Sequence, residues 1–231
     1  MQRAHYEEQA PNMAKQDHQS HNNNPDYWKL LLGDCKGDLA LDVGCGTGRN
    51  VANLSPRFKE AHGCDISQGN LDQAAQKFQA KGIKNYRLWR TDGVSIYPED
   101  WEMNLVLPRC NSYDFIMSTI CLQHICVYDI RYGILKSAWE CLKPRGTLSF
   151  QMGYGYLDDP FKRPGFGMAD YHENRLDAKA TNSGFDVRVP DSSLIYEDLV
   201  KIGFVRENIS HTISHPWEDH HPRWIYVRAI K

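Results

Sequence analysis

The chain has 231 residues, 41% of them hydrophobic and 24% charged, the proportions of one globular domain with a substantial core. Its formal net charge is −2 and no block of Lys or Arg occurs. That removes the simplest basis for binding nucleic acid or an anionic membrane, a basic face. No run of about 18 apolar residues is present, so no transmembrane helix is expected, and polar Met1–Ser20 holds no signal-peptide core. Seven scattered cysteines, an odd number without a C-x-x-C pair, read as reduced thiols of a cytoplasmic protein.

In chain order, Met1–Asn24 is polar, rich in Gln, Asn and His, and reads as a floppy arm. Asn24-Pro25 is a helix start, and Tyr27, Trp28, Leu31 and Leu32 follow at helical spacing until Gly33. From Asp38 strands and helices alternate. Leu39–Val43 is a short buried strand, followed by a glycine loop and a short helix at Arg49–Leu54. His62–Cys64 ends a second strand at Asp65. Ser67 caps a helix with Leu71, Ala74, Ala75 and Phe78 on one face and Gly82 at its end. Tyr86–Trp89 is a third strand, closing at Thr91-Asp92-Gly93. Val94–Ser112 is irregular.

Tyr113–Met117 is the fourth strand, Asp129–Leu142 a helix, Lys143–Gly146 a turn and Thr147–Met152 the fifth strand. Gly153–Arg188 shows no period and reads as a long insertion. Ser192–Ile202 is a helix, and Val205–Ser214 and Trp224–Ile230 are closing strands. The alternation predicts one α/β domain, doubly wound, with helices on both faces of a parallel sheet. Residues 1–37 form a lid region, 38–152 the core, 153–190 the insertion and 191–231 the closing elements.

The loop Asp42-Val43-Gly44-Cys45-Gly46-Thr47-Gly48 suits a nucleoside cofactor. Glycines let the backbone turn sharply and approach a ligand with no Cβ in the way. A glycine loop alone also fits a structural turn, but two distant carboxylates add to it. Asp65, about 20 residues on at a strand end, is placed to accept ribose hydroxyls. Asp92 ends the next strand beside the same crevice, where a carboxylate takes an adenine amino proton. Arg49 stands where a dinucleotide loop has its third glycine, and no Walker-A lysine follows.

Five ordered segments resemble the class I S-adenosylmethionine-dependent methyltransferases. Asp42–Gly48 resembles their motif I, Gly63-Cys64-Asp65-Ile66-Ser67 their second-strand acidic motif, and Asp92-Gly93 their adenine-site motif. Tyr113–Ser118 with Leu122-Gln123-His124-Ile125 resembles the fourth-strand motif, and Leu142–Leu148 the turn into the fifth strand. The resemblance implies a Rossmann-like, seven-stranded sheet of order 3-2-1-4-5-7-6 whose seventh strand is antiparallel. It implies S-adenosylmethionine as cofactor and S-adenosylhomocysteine as product. Gly44, Cys45 and Gly46 would meet the methionine part, with Asp42 fixing its ammonium directly or through water. Asp65 would bind ribose, Ile66 would pack on adenine, and Asp92 and Gly93 would hold its edge. Ser118 and Thr119 would lie beside the amino-acid end.

Methyl transfer asks the protein mainly for proximity and orientation, and for a base only where the acceptor must lose a proton. His124, after the fourth strand, is the candidate base or substrate contact, against a histidine that merely packs there. Gln123 is placed to orient a polar acceptor. The resemblance implies an N-terminal lid, for which Tyr6, Tyr27 and Trp28 are candidates; packing of a terminal helix is the alternative for Trp28. In the insertion, Tyr154, Tyr156, Phe161, Phe166, Tyr171 and His172 offer the other wall of an acceptor pocket. His215–His221 contains possible metal ligands but no recognisable spacing, so no metal is expected.

The leading reading is transfer to an O, N, S or C atom of a small molecule by a monomer or homodimer, with neither nucleic acid nor membrane as partner. The amino-methyltransferases of nucleic acids carry an N/D-P-P-Y-type motif where this chain has Ser118-Thr119-Ile120-Cys121. A protein acceptor, a cofactor-binding module without activity, and a nicotinamide-dependent oxidoreductase are the alternatives; the glycine spacing disfavours the last.

Overall fold

In the computed structural model, residues 2–16, 25–100, 110–155, 167–176, 185–214 and 223–231 are described. Helices α1 (Gln2–Gln16) and α2 (Pro25–Leu31) precede β1 (Gly37–Val43), α3 (Arg49–Leu54), β2 (Phe58–Asp65), α4 (Gln68–Ala80) and β3 (Tyr86–Arg90). Then come β4 (Tyr113–Ser118), a 3₁₀ turn at Leu122–His124, α5 (Tyr128–Cys141) and β5 (Leu142–Tyr154). Two short strands, β6 (Gly167–Ala169) and β7 (Phe185–Val189), lie in the insertion, and α6 (Ser192–Ile202), β8 (Ile209–Ser214) and β9 (Arg223–Ile230) close the domain.

The central strands lie in the order β3-β2-β1-β4-β5, all parallel, with β9 antiparallel to β5 and β8 antiparallel to β9. This is the expected order and sense of the Rossmann-like methyltransferase sheet. The strand count differs: among the described residues the sheet has nine strands, because β6 and β7 arise from the segment read as a long insertion without a period. Gly153 and Tyr154 pair with β9 on one edge and with β7 in parallel on the other. Phe150 is the last β5 residue paired with β4, opposite Ser118. β7 therefore occupies the edge that β4 vacates, above the carboxyl end of β4. The segment Lys143–Gly146, read as a turn, is the irregular start of β5, with Arg145 at φ 68° and a register shift between Tyr113 and Phe115.

Alternate residues of each strand enter cores on opposite faces, as the two-residue period of a strand requires. Leu41, Val43, Ile116, Leu148 and Phe150 pack with α5 and α6; Ala40, Ala61, Phe115, Met117 and Tyr226 pack with α2, α3 and α4. The α4 start shows how sequence sets an element: buried Ser67 accepts a hydrogen bond from the Asn70 N–H at 3.1 Å, while Leu71, Ala74 and Phe78 are buried one face along. Losing such a cap costs about 1 kcal/mol, so Ser67→Ala should lower the urea midpoint correspondingly without changing the slope.

The largest departure from the sequence reading is α1. Residues read as a floppy arm form a helix that packs on α4. The hold is mostly polar. Glu7 accepts from the backbone N–H of Gln68 at 2.6 Å and Gly69 at 2.8 Å, capping α4 from another helix. Desolvation raises the Glu7 carboxyl, but these bonds, with the neighbouring groups, outweigh it and hold the carboxyl below its ordinary range. Arg3 bonds Glu99 at 2.8 Å and the Thr91 carbonyl at 3.1 Å. No described helix is long and apolar enough to cross a membrane. All seven cysteines are free thiols.

Candidate cofactor and acceptor site

The chain runs from β1 outward to β2 and β3 and then returns past β1 to β4. Such a reversal leaves a crevice at the carboxyl ends of the strands, where ligands bind in open α/β sheets. An open cleft of about 670 Å³ lies there, lined by residues that include Gly44, Gly46, Asp65, Ile66, Gly93 and His124. Tyr6 reaches it from α1.

The glycine loop is fixed by its backbone. The N–H groups of Gly44 and Cys45 both donate to the Cys64 carbonyl, at 2.9 and 3.0 Å. Gly44 has φ 70°, and a Cβ there would lie 2.8 Å from Cys121 Cβ and collide with its sulfur. Gly48 has φ 81°, and its missing Cβ leaves room for Ala74 and Phe78 of α4. Burial raises the Cys121 thiol to about 12 and the Cys45 and Cys64 thiols well above their ordinary value, so all three are neutral around the loop.

Two buried carboxylates stand behind this loop. Asp42, at 1% exposure, has one oxygen 3.4 Å from Asn50 Nδ2 and the other, Oδ2, buried with no hydrogen-bond partner. Burial raises its pKa to about 7. Asp65 accepts from Gly46 N at 2.8 Å, Ser67 N at 2.9 Å and Asn70 Nδ2 at 3.3 Å. Burial, outweighing these bonds, also raises its pKa. A carboxylate has about four lone-pair sites, so Asp65 keeps acceptor capacity at the cleft.

On the β4 side, Ser118 donates its hydroxyl to the Val43 carbonyl at 3.0 Å, and Thr119 Oγ1 accepts from Asn50 Nδ2 at 2.8 Å. Ile120 follows at φ 50°, a left-handed conformation rare for a β-branched residue, and lines the cleft. His124 comes next in the wall. Its Nδ1 lies 2.6 Å from Asp186 Oδ1, and its ring is 25% exposed while Asp186 is fully buried.

A family profile described as a methyltransferase domain matches residues 41–148, the span from the end of β1 to β5. Residues 41–148 are thus similar to a methyltransferase domain, and the fold around them is that of solved S-adenosylmethionine-dependent methyltransferases. Among curated relatives, phosphoethanolamine N-methyltransferase 2 of Caenorhabditis elegans is 29% identical over 136 residues, 57% of this chain and 28% of that protein. A methyltransferase structure from Methanosarcina mazei superposes with TM-score 0.64 at 16% identity, over 90% of this chain and 97% of that one. Phosphoethanolamine N-methyltransferase 2 of Haemonchus contortus, solved with phosphomonomethylethanolamine and S-adenosylhomocysteine, gives TM-score 0.60 at 17% identity, over 97% of this chain and 52% of that one. This chain thus spans about half or less of both phosphoethanolamine enzymes. The cofactor of the family is S-adenosylmethionine.

The residues present in this cleft and behind its loop fit that cofactor. Asp42 Oδ2 is a buried acceptor in need of a donor, suited to the ammonium, and Asp65 offers the ribose a carboxylate. The remaining expected contacts divide. Gly93, at φ 87°, and Ile66 lie side by side in the cleft wall. Asp92 is exposed, and its Oδ1 accepts from the N–H groups of Val94 and Ser95 at 2.9 and 3.1 Å. Cys45 is buried behind the loop. Gln123 is fully buried, its amide nitrogen 3.4 Å from His124 Nε2 and its oxygen without a partner.

Two expected acceptor contacts, Trp28 and Tyr154, do not line the cleft. Trp28 packs against the core face that holds Leu31 and Leu54, as a terminal helix packs on a core. Tyr154 packs against the opposite core and lies 5.1 Å beneath the Arg223 guanidinium. The Tyr27 side chain, Tyr156, Phe161, Phe166 and His215–His221 lie outside the described residues. No metal-ligating cluster occurs among the described residues. Asn50, which ties Asp42 to Thr119, and Asp186 were not singled out in the sequence; Asn50 is the second residue of α3, and Asp186 belongs to no motif.

Proposed function

We propose that this protein transfers a methyl group from S-adenosylmethionine to a proton-bearing N, O or S atom of a small molecule. The observation that carries the reading is His124: its ring lines the cleft that Gly44, Gly46 and Asp65 also line, and a buried carboxylate holds its far nitrogen. The cofactor, when bound, supplies an electrophilic methyl on a sulfonium, displaced in line with the sulfur keeping the bonding pair.

The chain's own groups orient and hold. Asp42 takes the cofactor's ammonium directly or through water, and Asp65 takes its ribose. Ile66 packs on the adenine, while the Gly93 backbone and Asp92 Oδ2 meet its edge. Ser118 and Thr119 fix the turn beside the amino-acid end. Tyr6, brought by α1, covers the cleft and excludes water. His124 accepts the acceptor's proton and returns it to solvent. The near-neutral charge supports a small acceptor over nucleic acid. The names of the nematode relatives, which denote methylation of an amine nitrogen, support an amine among the candidates.

His124→Ala should lower turnover about 10²- to 10⁴-fold while leaving affinity for S-adenosylhomocysteine unchanged. The assay follows labelled methyl from S-adenosylmethionine into a panel of small amines, alcohols and thiols. Unchanged turnover would reject the base, and label appearing in protein alone would reject the small acceptor.

A further inference from the structure

We infer that Glu7 is a latch residue: through the first turn of α4 it holds α1 over the cleft, and its release sets how fast the cofactor is exchanged. The inference rests on the reading of this cleft as the site of S-adenosylmethionine.

α1 meets the rest of the domain along one face. Arg3, Tyr6, Glu7 and Ala10 stand at i, i+3, i+4 and i+7, the spacing that brings side chains to one side of a helix. Each makes a different contact. Arg3 donates to the Thr91 carbonyl at 3.1 Å, just past β3 and just before Asp92 and Gly93. Tyr6 lines the cleft. Glu7 takes the start of α4, and Ala10, the one aliphatic side chain of the four, is buried. The face thus grips the ends of β2 and β3 at once, with Tyr6 between the two grips in sequence.

The first turn of α4 shows what Glu7 supplies. A helix start leaves N–H groups with no partner inside the helix. Asp65 Oδ1 takes the Ser67 N–H at 2.9 Å, and Ser67 Oγ takes the Asn70 N–H at 3.1 Å. The two N–H groups between them, those of Gln68 and Gly69, go one to each oxygen of Glu7, at 2.6 and 2.8 Å. Asp65, the proposed ribose carboxylate, and Glu7 therefore hold neighbouring N–H groups of one turn, so the cover and the cofactor site share a support. Gly69 permits the approach: a Cβ there would lie 2.9 Å from Glu7 Oε2 and 3.1 Å from Ala10 Cβ.

The latch is releasable. The Gln68 bond is exposed to solvent, so water takes over that N–H when α1 leaves. Arg3 also pairs with Glu99 at 2.8 Å, but both side chains are partly exposed and such a pair adds little. Pro11, inside α1, removes a bond from the helix's own ladder. One small apolar contact and a few polar bonds make a cover that opens locally at small cost.

The test measures opening and ligand release together. In the ligand-free protein, Glu7→Ala should speed amide hydrogen exchange over residues 2–16 about tenfold, the order expected when hydrogen bonds to a charged acceptor are lost at a partly exposed site. Exchange in β1 and β4 should stay unchanged. The same variant should release S-adenosylhomocysteine about tenfold faster in stopped-flow measurements. Gly69→Ala keeps Glu7 and every proposed cofactor contact and puts a better helix former into α4. It should stabilise α4 yet raise α1 exchange and ligand release about threefold, through overpacking against Glu7. Glu8→Ala, at an exposed position of α1, should change neither. In the wild type, S-adenosylhomocysteine should slow α1 exchange, because a cover that retains the ligand is retained by it. Unchanged α1 exchange in Glu7→Ala would overturn the latch, and faster exchange with unchanged ligand release would overturn its control of cofactor exchange. Equal wild-type α1 exchange with and without bound ligand would overturn that control even if no variant folded. A wild type that binds no S-adenosylhomocysteine would instead strike the reading of the cleft, and the ligand-free exchange would still decide whether Glu7 holds α1.

Discussion

Asp42→Asn should melt at a higher temperature than the wild type above pH 7 and bind S-adenosylmethionine about 10- to 100-fold more weakly, the loss expected of one charge-assisted hydrogen bond. The reason lies in a carboxyl held at 1% exposure with one oxygen unpartnered. Burial sets its folded pKa at about 7, against about 3.9 in the unfolded chain. The folded pKa is raised, so the stability due to the neutral carboxyl is complete below about pH 4 and is lost as pH rises towards 7. Above pH 7 the ligand-free protein carries a buried, under-partnered charge, and Asn removes it. At pH 4 the two proteins should melt alike. Stabilisation by S-adenosylmethionine should increase with pH in the wild type and stay flat in the variant, because the ligand's ammonium supplies the missing partner. Melting curves across pH with and without ligand check both halves. Equal affinity in the two proteins would remove Asp42 from the cofactor site.

Gly44→Ala should abolish measurable cofactor binding and destabilise the fold by about 2–4 kcal/mol, from left-handed strain plus overpacking. Gly44 has φ 70°, and the added methyl would meet Cys121 in the segment that also carries Ile120 and His124. Gly82→Ala is the control. Gly82 has φ 67° at the end of α4 but open space where its Cβ would be. It should show the backbone strain alone, about 1–2 kcal/mol, and leave binding intact. Urea unfolding and calorimetric titration of both variants separate strain from collision. Intact binding in Gly44→Ala would show that the loop does not set the cleft.

How far the sequence disclosed this site follows from where each signal is local. Motif I, Asp65 and Gly93 were legible because a strand end, a glycine turn and a carboxylate at fixed offsets are local demands of the β-to-α junction. Ser67 and the α4 face were legible for the same reason, a cap followed by a 3.6-residue period. The α1 helix was not. Its side chains show little amphipathic order, Pro11 lies inside it, and its hold on α4 comes through Glu7 and Arg3, bonds to partners 61 to 96 residues away. β7 was obscured differently. Phe185-Asp186-Val187-Arg188-Val189 alternates polar and apolar residues as a strand does, but it is only five residues long and Asp186 and Arg188 are buried as fully as Val187 and Val189. Trp28 was open between a lid and core packing, and the α2 helix places it on the core.

Chain segments remote in sequence therefore complete the cleft, with Tyr6 from the first helix and Asp186 from the seventh strand flanking what the motifs between residues 42 and 124 provide. A crystal structure of the protein with S-adenosylhomocysteine tests this account most directly. The expected result places the ligand's amino group on Asp42 directly or through one water, its ribose hydroxyls on Asp65, and its sulfur facing the side of the cleft that His124 lines. A ligand bound elsewhere, or in this cleft with both carboxylates untouched, would contradict it.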